Sequence, residues 1–188
     1  MVSFRSLESG EWHSFTYEEE MEGGKLLFSG RKQAGEWICI KFVRRYGKEV
    51  HIWCAGKGIA PKLMGFEVLP GGWYMVVMEY LDQTWVSFDD DKVKGIKGVK
   101  ERFAMAIAEL HEAGMVHGDI REVNVMVKEG GEGFKLVDFD WAGIFGEVRY
   151  PRHINKVAEL GRPEDVLDGE LILMKHDLSM MEKMFRQH

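Results

Sequence analysis

Residues 117–140 read HGDIREVNVMVKEGGEGFKLVDFD, and this stretch constrains the fold more than any other part of the chain. Asp119 is followed five positions later by Asn124, and Asp138 lies fourteen positions beyond that. A carboxylate that accepts a proton, together with an amide oxygen and a second carboxylate that bind magnesium, are the groups that a phosphoryl-transfer site requires. The alternating run at 125–127 and the glycines after it predict a strand, a turn and a second strand before the last aspartates.

This stretch resembles the catalytic loop and the metal-binding loop of the protein-kinase-like superfamily. It has His117-Gly118-Asp119 where most protein kinases have H-R-D, and Asp138-Phe139-Asp140 where they have D-F-G. The H-G-D form is similar to that of the aminoglycoside and choline kinase branch and of some compact fungal kinase-like proteins. The alternative interpretation, that both aspartates are ordinary turn residues beside strands, explains each motif alone but not the two at this separation.

The resemblance implies a role for each polar residue of the catalytic loop. Asp119 matches the catalytic base or orienting carboxylate, and Asn124 and Asp138 match the magnesium ligands. Arg121 stands where serine/threonine kinases often carry a lysine, so its fixed charge could stabilise the moving γ-phosphoryl group. It could equally be a surface residue paired with Glu122.

Three further residues receive structural interpretations. His117 is expected to pack against Phe139 and to take no part in proton transfer. Asp140 replaces the glycine of D-F-G, and its carboxylate could add a metal contact, stiffen the loop or hydrogen-bond its own backbone. Asp177 stands where kinases have an aspartate that braces the catalytic-loop backbone. The alternative for Asp177 is an aspartate that favours a helix N-terminus.

Before residue 117 the sequence predicts mainly strands, separated by glycine-bearing turns. Aromatic and β-branched residues indicate strands at 11–17, 25–29 and 36–43, and a strand pair at 66–69 and 73–80. A short helix is expected over 44–55, with Val50, Trp53 and Cys54 on its inner side. A second helix is expected over 99–113 with Gly114 as its C-cap, and a last one over 178–185.

The strand at 36–43 contains the residue expected to contact nucleotide phosphates. Its segment Cys39-Ile40-Lys41-Phe42 resembles the V-A-I-K motif, which implies that Lys41 neutralises the α- and β-phosphates. A solvated lysine on an outward-facing strand position is the alternative. Glu49 is the only carboxylate on the predicted helix that follows, so it is the predicted partner of Lys41. Their eight-residue separation is shorter than in most protein kinases, and Glu49 could instead face water.

Residues 75–82 resemble the last small-lobe strand and the hinge that follows it. Met78 would then lie behind the adenine, and Asp82 would bind the ribose or serve only as a turn residue. The backbone of the three residues between them would hydrogen-bond the edge of the base: Glu79, Tyr80 and Leu81.

One departure from the family pattern concerns the loop that covers the phosphates. No G-x-G-x-x-G precedes Lys41. Gly23-Gly24 falls between two predicted strands, where such a loop would lie, and its backbone could offer N–H groups to an anion. Four glutamates between positions 18 and 22 crowd it with negative charge, so we interpret it as a solvated turn. Modest nucleotide affinity is the expected consequence.

Composition limits the classes of protein that the chain can belong to. It has 188 residues, enough for one domain, and is 45% hydrophobic, enough for a substantial core. A net charge of −6 would repel nucleic acid and anionic membranes. Cys39 and Cys54 form no disulfide framework or metal spacing and are interpreted as buried thiols in a reducing compartment. With no signal peptide at the N-terminus and no long apolar run, we expect a soluble intracellular protein in the cytoplasm.

The sequence therefore predicts an α+β, two-lobed protein kinase-like fold in a single domain, 1–188. A β-rich N-lobe and hinge would occupy 1–81, and a shortened, mainly helical C-lobe 82–188, with only 50 residues after Asp138. The expected activity is ATP- and Mg2+-dependent transfer of the γ-phosphoryl group to a hydroxyl of a protein or small molecule. The alternatives are a dedicated small-molecule kinase, and a pseudokinase that binds nucleotide or acts as a scaffold.

Overall fold

The strands predicted before residue 82 all form in the computed structural model of the chain, and with a further N-terminal strand they make one antiparallel sheet. In chain order they are β1 (Val2–Arg5), β2 (Trp12–Glu20), β3 (Leu27–Lys32), β4 (Trp37–Val43), β5 (Leu63–Leu69) and β6 (Trp73–Glu79). Their order across the sheet is β1-β2-β3-β4-β6-β5.

The structure describes residues 2–21, 25–93, 96, 98–131, 133–155 and 162–186, so the predicted turn at Gly23-Gly24 lies outside the described residues. The chain divides into two compact units. The first comprises Met1–Tyr46 and Pro61–Asp82, and the second Gly47–Ala60 and Gln83–His188. This division falls close to the predicted boundary at residue 81, but it groups the first helix with the second unit. The assignment of N-lobe and C-lobe stays a prediction.

The central strand β4 is buried on both of its faces. Ile38 and Ile40 pack into one cluster, with Phe4, Phe15, Met75 and Val77. Cys39 and Val43 pack into the other, with Leu63, Val76 and Met78. Because side chains alternate along a strand, Lys41 lies on the same face as Cys39 and Val43. Burial raises the pKa of the Cys39 and Cys54 thiols to about 12, as expected of cysteines that act as small apolar residues.

The two edges of this sheet meet at a close contact that requires glycine. Ser6, just after β1, forms a bridge with Gly65 in β5, and the Leu7 amide donates to the Met64 carbonyl at 2.9 Å. A Cβ atom at Gly65 would lie 2.3 Å from the Phe4 ring, so a larger residue would separate the edges.

The second unit contains the described α-helices and two small sheets. Its elements are α1 (Lys48–Gly56), β7 (Trp85–Ser87), α2 (Val99–Glu112), β8 (Met115–Val116), β9 (Val125–Lys128), β10 (Phe134–Leu136), β11 (Gly143–Ile144) and α3 (Met174–Arg186). β10, β9 and β7 form one sheet in that order, and β11 pairs with β8. The ring of Phe103 on α2 contacts Phe134 on β10 and Phe185 on α3, which joins both helices to the sheet.

Most predicted elements of this unit are confirmed, and three differ. α1 begins at Lys48, four residues after the predicted start at residue 44. α2 matches the predicted helix, and Gly114 after it has φ +74°, the left-handed conformation expected of a C-cap glycine. β7 lies between the predicted strand at 73–80 and the predicted helix at 99–113, where no element was predicted. α3 begins at Met174, four residues before the predicted start. Within the described ranges, no helix has the length and apolar character needed to cross a bilayer.

Candidate active site

The loop predicted to be the catalytic loop, residues 117–124, follows β8 and turns at a glycine. Gly118 has φ +83°, a left-handed conformation that residues with a Cβ rarely adopt. A Cβ there would also lie 2.9 Å from the Ile172 side chain. Both the backbone conformation and the lack of space for a Cβ atom therefore favour glycine at the middle position of the H-G-D motif.

The side chain of Asp177 on α3 holds this loop by hydrogen bonds to the loop backbone. Its carboxylate is fully buried and accepts hydrogen bonds from the amides of His117 at 2.9 Å and Gly118 at 2.8 Å. His111 Nε2 lies 3.1 Å from the same carboxylate. The predicted bracing role of Asp177 is thus confirmed. Because two successive amides are fixed, the position of Asp119, the next residue, is fixed as well.

His117 packs against Phe139, as predicted. Its Nε2 lies 3.2 Å from the Val137 carbonyl, which can only accept, and its Nδ1 accepts from the Asp119 amide at 3.3 Å. Both contacts require the neutral imidazole with its hydrogen on Nε2. The ring packs edge-on against Phe139, with centroids 5.2 Å apart. The Phe139 ring also stacks on His51 of α1, with centroids 4.4 Å apart. Phe139 of the D-F-D segment therefore packs against both α1 and the loop that contains His117.

The carboxylate of Asp119 is surrounded by donors. Arg121 binds it with both Nε at 2.9 Å and Nη2 at 2.8 Å. Asn124 Nδ2 donates to the Asp119 side chain at 3.0 Å and to its carbonyl at 2.9 Å. Arg162 adds a fourth donor to the carboxylate, Nη2 at 2.8 Å. The side chain of Asp119 is only 7% exposed.

Asn124 and Asp138, the predicted metal ligands, are linked through the backbone. The Val137 amide donates to the Asn124 carbonyl at 3.0 Å, which brings the residue before Asp138 against Asn124. Asp138 has φ +66°, a conformation that costs energy for a residue with a Cβ although aspartate tolerates it better than most. The described part of the chain contains no group of three or more His, Cys, Asp or Glu side chains placed to hold a metal. Magnesium is usually held by one or two protein carboxylates together with substrate phosphates, so the oxygen groups of Asn124 and Asp138 fit it.

Arg162 is a site residue that no sequence motif indicated. It lies 43 residues after Asp119, with no motif around it that the sequence analysis could use. Its guanidinium lies 4.6 Å from the Trp141 ring centroid, and its Nη1 donates to the Asn155 carbonyl at 2.6 Å. The residue is therefore held in place on three sides: by a ring face, a carbonyl and the Asp119 carboxylate.

Lys41, the predicted phosphate contact, and Glu49, its predicted partner, lie in different units. Lys41 is 4% exposed, so the interpretation as a solvated strand lysine does not hold, and its Nζ lies 5.9 Å from the Tyr46 ring centroid. Glu49 is exposed on the first turn of α1. Because Lys41 belongs to the first unit and Glu49 to the second, their pairing stays a prediction.

The residues predicted to contact the nucleoside all belong to the first unit. Met78 is buried in β6, where it pairs with Cys39 of β4. The Glu79 carboxylate accepts the Lys62 amide at 2.9 Å, and Tyr80 contacts the ring of Trp37. Leu81 and Asp82 follow β6 in an irregular segment, with Leu81 half-buried and Asp82 exposed. Their roles toward adenine and ribose stay predictions.

The fold is that of a protein kinase-like domain, as comparison with solved structures shows. The chain is similar to the kinase PK-1 of the Cydia pomonella granulovirus, with a TM-score of 0.69 and 17% identity, over 89% of this chain and 65% of the viral kinase. It is also similar to vaccinia-related kinase 3, with a TM-score of 0.64 and 15% identity, over 99% of this chain and 67% of that one. No family model and no curated protein matches the chain. The chain spans about two thirds of the length of the two kinases.

Proposed function

We propose that the protein is an ATP- and Mg2+-dependent phosphotransferase that moves the γ-phosphoryl group to a hydroxyl acceptor. The observation that carries the proposal is the construction of the catalytic loop. Asp119 has a buried carboxylate, and Asp177 fixes its position by binding the amide of the preceding residue. Asn124 donates a hydrogen bond to this carboxylate. The carbonyl of Asn124 in turn accepts from the amide of Val137, the residue before Asp138. A protein kinase-like fold supports this proposal but does not by itself specify an activity.

Each residue of the loop has a distinct proposed role. Asp119 accepts the proton of the acceptor hydroxyl, and Arg121 offers fixed positive charge to the phosphoryl group in transfer. The amide nitrogen of Asn124 is engaged by Asp119, which leaves the amide oxygen for the metal. Asp138 supplies the carboxylate. Mg2+, when bound by these two oxygen groups and the phosphates, supplies neutralisation of phosphate charge.

The first unit is proposed to contribute to nucleotide binding. Lys41 would neutralise phosphate charge, with Glu49 as the group that orients it. The backbone of Glu79, Tyr80 and Leu81 would hydrogen-bond the adenine beside Met78, and Asp82 would meet the ribose. The two-lobed arrangement implied by the kinase resemblance, with a β-rich N-lobe and a shortened helical C-lobe, belongs to the same proposal.

ATP is expected to raise the melting temperature far more with magnesium than with EDTA. A ligand that binds only the native state stabilises it by about 2.7 kcal/mol at one hundred times its Kd. At roughly 2–4 °C per kcal/mol for a chain of this size, the shift is measurable by differential scanning fluorimetry. Asp138→Asn should lose the magnesium-dependent part of the shift, while Asp89→Asn, an exposed control on the same unit, should keep it.

Two outcomes of this measurement would count against the assignment. Equal shifts with magnesium and with EDTA would remove Asn124 and Asp138 as metal ligands. The absence of any shift at millimolar ATP would favour the scaffold over the enzyme.

Lys41→Met and Glu49→Gln are expected to impair the same step if the two residues work as a pair. Lys41→Met removes the phosphate contact, and Glu49→Gln removes only the group that orients it. The double variant should then be little worse than Lys41→Met alone, because residues that act as a unit are non-additive. Steady-state kinetics of all three variants measures this, with the exposed Lys100→Met as the control. Rate losses that multiply in the double variant would show that Glu49 acts independently of Lys41.

A further inference from the structure

The carboxylate proposed as the base has no vacant acceptor position in this structure. An ionised carboxylate has about four lone-pair positions. Oδ1 of Asp119 accepts from Arg121 Nε and Arg162 Nη2, and Oδ2 accepts from Arg121 Nη2 and Asn124 Nδ2. An acceptor hydroxyl can therefore donate its proton to Asp119 only if one of these four donors withdraws.

Arg162 is the donor whose withdrawal the surroundings best accommodate. Asn124 is tied to the loop by a second hydrogen bond to the Asp119 carbonyl, and Arg121 binds both carboxylate oxygens at once. Arg162 makes a single hydrogen bond to Asp119 and comes from a distant part of the chain. Its Nε is buried and is without a hydrogen-bond partner among the described residues, so this guanidinium still has donor capacity.

Withdrawal of Arg162 from Asp119 requires another negative group. Its side chain is 9% exposed, and a buried guanidinium that loses its carboxylate is strongly unfavourable. Asp119 alone also balances only one of the two guanidinium charges that face it, those of Arg121 and Arg162. A neutral hydroxyl compound would compete with Arg162 for Asp119 but would provide no negative group for the displaced guanidinium.

We propose, on the basis of the function proposed above, that Arg162 selects acceptors with an anionic group, carboxylate or phosphate, close to the reacting hydroxyl. The anionic group pairs with Arg162, and the hydroxyl takes the position on Asp119 that Arg162 leaves. The Trp141 ring and the Asn155 carbonyl keep the planar fork of Arg162 oriented for a bidentate contact with that group.

The group-transfer step then balances. The acceptor oxygen forms a bond to the γ-phosphorus of ATP, and the bond from that phosphorus to the β–γ bridging oxygen breaks. The bridging oxygen leaves with the electron pair as part of ADP. The hydroxyl proton passes to Asp119, and the anionic group of the acceptor is unchanged by the reaction.

Initial rates with matched acceptors test this proposal. The pairs are glycerate against glycerol, for small molecules, and one serine peptide with aspartate against the same peptide with asparagine beside the serine. We expect kcat/KM to favour the anionic member of at least one pair by roughly 10²-fold, the size expected when one partner of a buried charged hydrogen bond is absent. Which pair shows the preference distinguishes a small-molecule from a protein source of the acceptor.

Variants of Arg162 show whether this residue causes the preference. Arg162→Gln should reduce the ratio of the two kcat/KM values to near one, mainly through a higher KM for the anionic acceptor. Arg162→Lys keeps the charge without the fork and should give an intermediate ratio, which also covers the case in which Arg162→Gln does not fold. Arg152→Gln is the matched control, since Arg152 is exposed and comes from the preceding segment, and it should keep the full ratio.

The outcomes separate this proposal from the function on which it rests. Equal phosphorylation of neutral and anionic acceptors, or an unchanged ratio in Arg162→Gln, would overturn the role of Arg162 and leave the phosphotransferase in place. Phosphorylation of no acceptor, together with no stabilisation by ATP and magnesium, would overturn the phosphotransferase and the role of Arg162 with it.

Discussion

Asp119→Asn is expected to lower turnover by about 10²–10⁴-fold, the usual contribution of a positioned acid–base group. An amide cannot take the proton of the acceptor hydroxyl, although it occupies nearly the same volume as the carboxylate. ATP affinity should stay nearly unchanged, because the residue is proposed to face the acceptor and not the nucleotide. Single-turnover kinetics and ATP titration, measured on the same preparation, separate the two quantities.

The control for this variant has to account for the arginines around Asp119. Removal of the charge leaves Arg121 and Arg162 facing a neutral amide, so some stability will be lost together with the base. Thermal melts should therefore accompany the kinetics, with Asp89→Asn as an exposed Asp-to-Asn control. Turnover that persists in a folded Asp119→Asn protein would remove this residue from the mechanism.

Asp177→Ala is expected to produce the largest loss of stability of any single change in the site. It leaves three donors without their acceptor: the amides of His117 and Gly118, and His111 Nε2. At about 1–3 kcal/mol for each of these three unsatisfied buried groups, the free energy of unfolding should fall by roughly 3–9 kcal/mol. At roughly 2–4 °C per kcal/mol, the melting temperature should fall by roughly 6–36 °C, as measured by circular dichroism or calorimetry.

Asp177→Asn and Asp165→Ala complete the comparison. The asparagine of Asp177→Asn keeps one oxygen that can accept from one backbone amide, so its loss of free energy of unfolding should be intermediate. Asp165 lies nearby in the sequence, but its side chain is 49% exposed; it pairs with Lys175 and lies 3.4 Å from His176 Nε2, so Asp165→Ala should cost about 1 kcal/mol, well below Asp177→Ala. If Asp177→Ala melted like Asp165→Ala, the brace would not hold the catalytic loop.

The parts of the fold that were predictable are those with a local pattern. The strands at β2 to β6 contain aromatic and β-branched residues between glycine turns, and α2 shows apolar residues at helical spacing, so both could be identified without tertiary information. β7 lies among polar neighbours and has only three residues, too few to show the alternation of apolar and polar residues typical of a strand. α3 begins earlier than predicted, at a point where His176 and Asp177 are buried and so gain from tertiary contacts that a local pattern does not contain.

The site residues also differ in whether a local sequence pattern indicates them. Asp119, Asn124 and Asp138 lie in short motifs, and their spacing indicated the chemistry. Asp177 could be placed only by family resemblance, and its hydrogen bonds span 59 and 60 residues. Arg162 had no such support, because a single arginine 43 residues away becomes significant only when the fold brings it to Asp119.

The backbone of Gly118 also limits how this catalytic loop can be redesigned. Kinases with an arginine in the middle of the motif suggest that the two versions could be exchanged, yet here φ is +83° and a Cβ would strike Ile172. A side chain at position 118 would push the peptide out of the left-handed region and turn its amide away from Asp177. A loop transplanted from such a kinase would therefore have to bring its own supporting residues, because the loop and the helix that anchors it form one inseparable module.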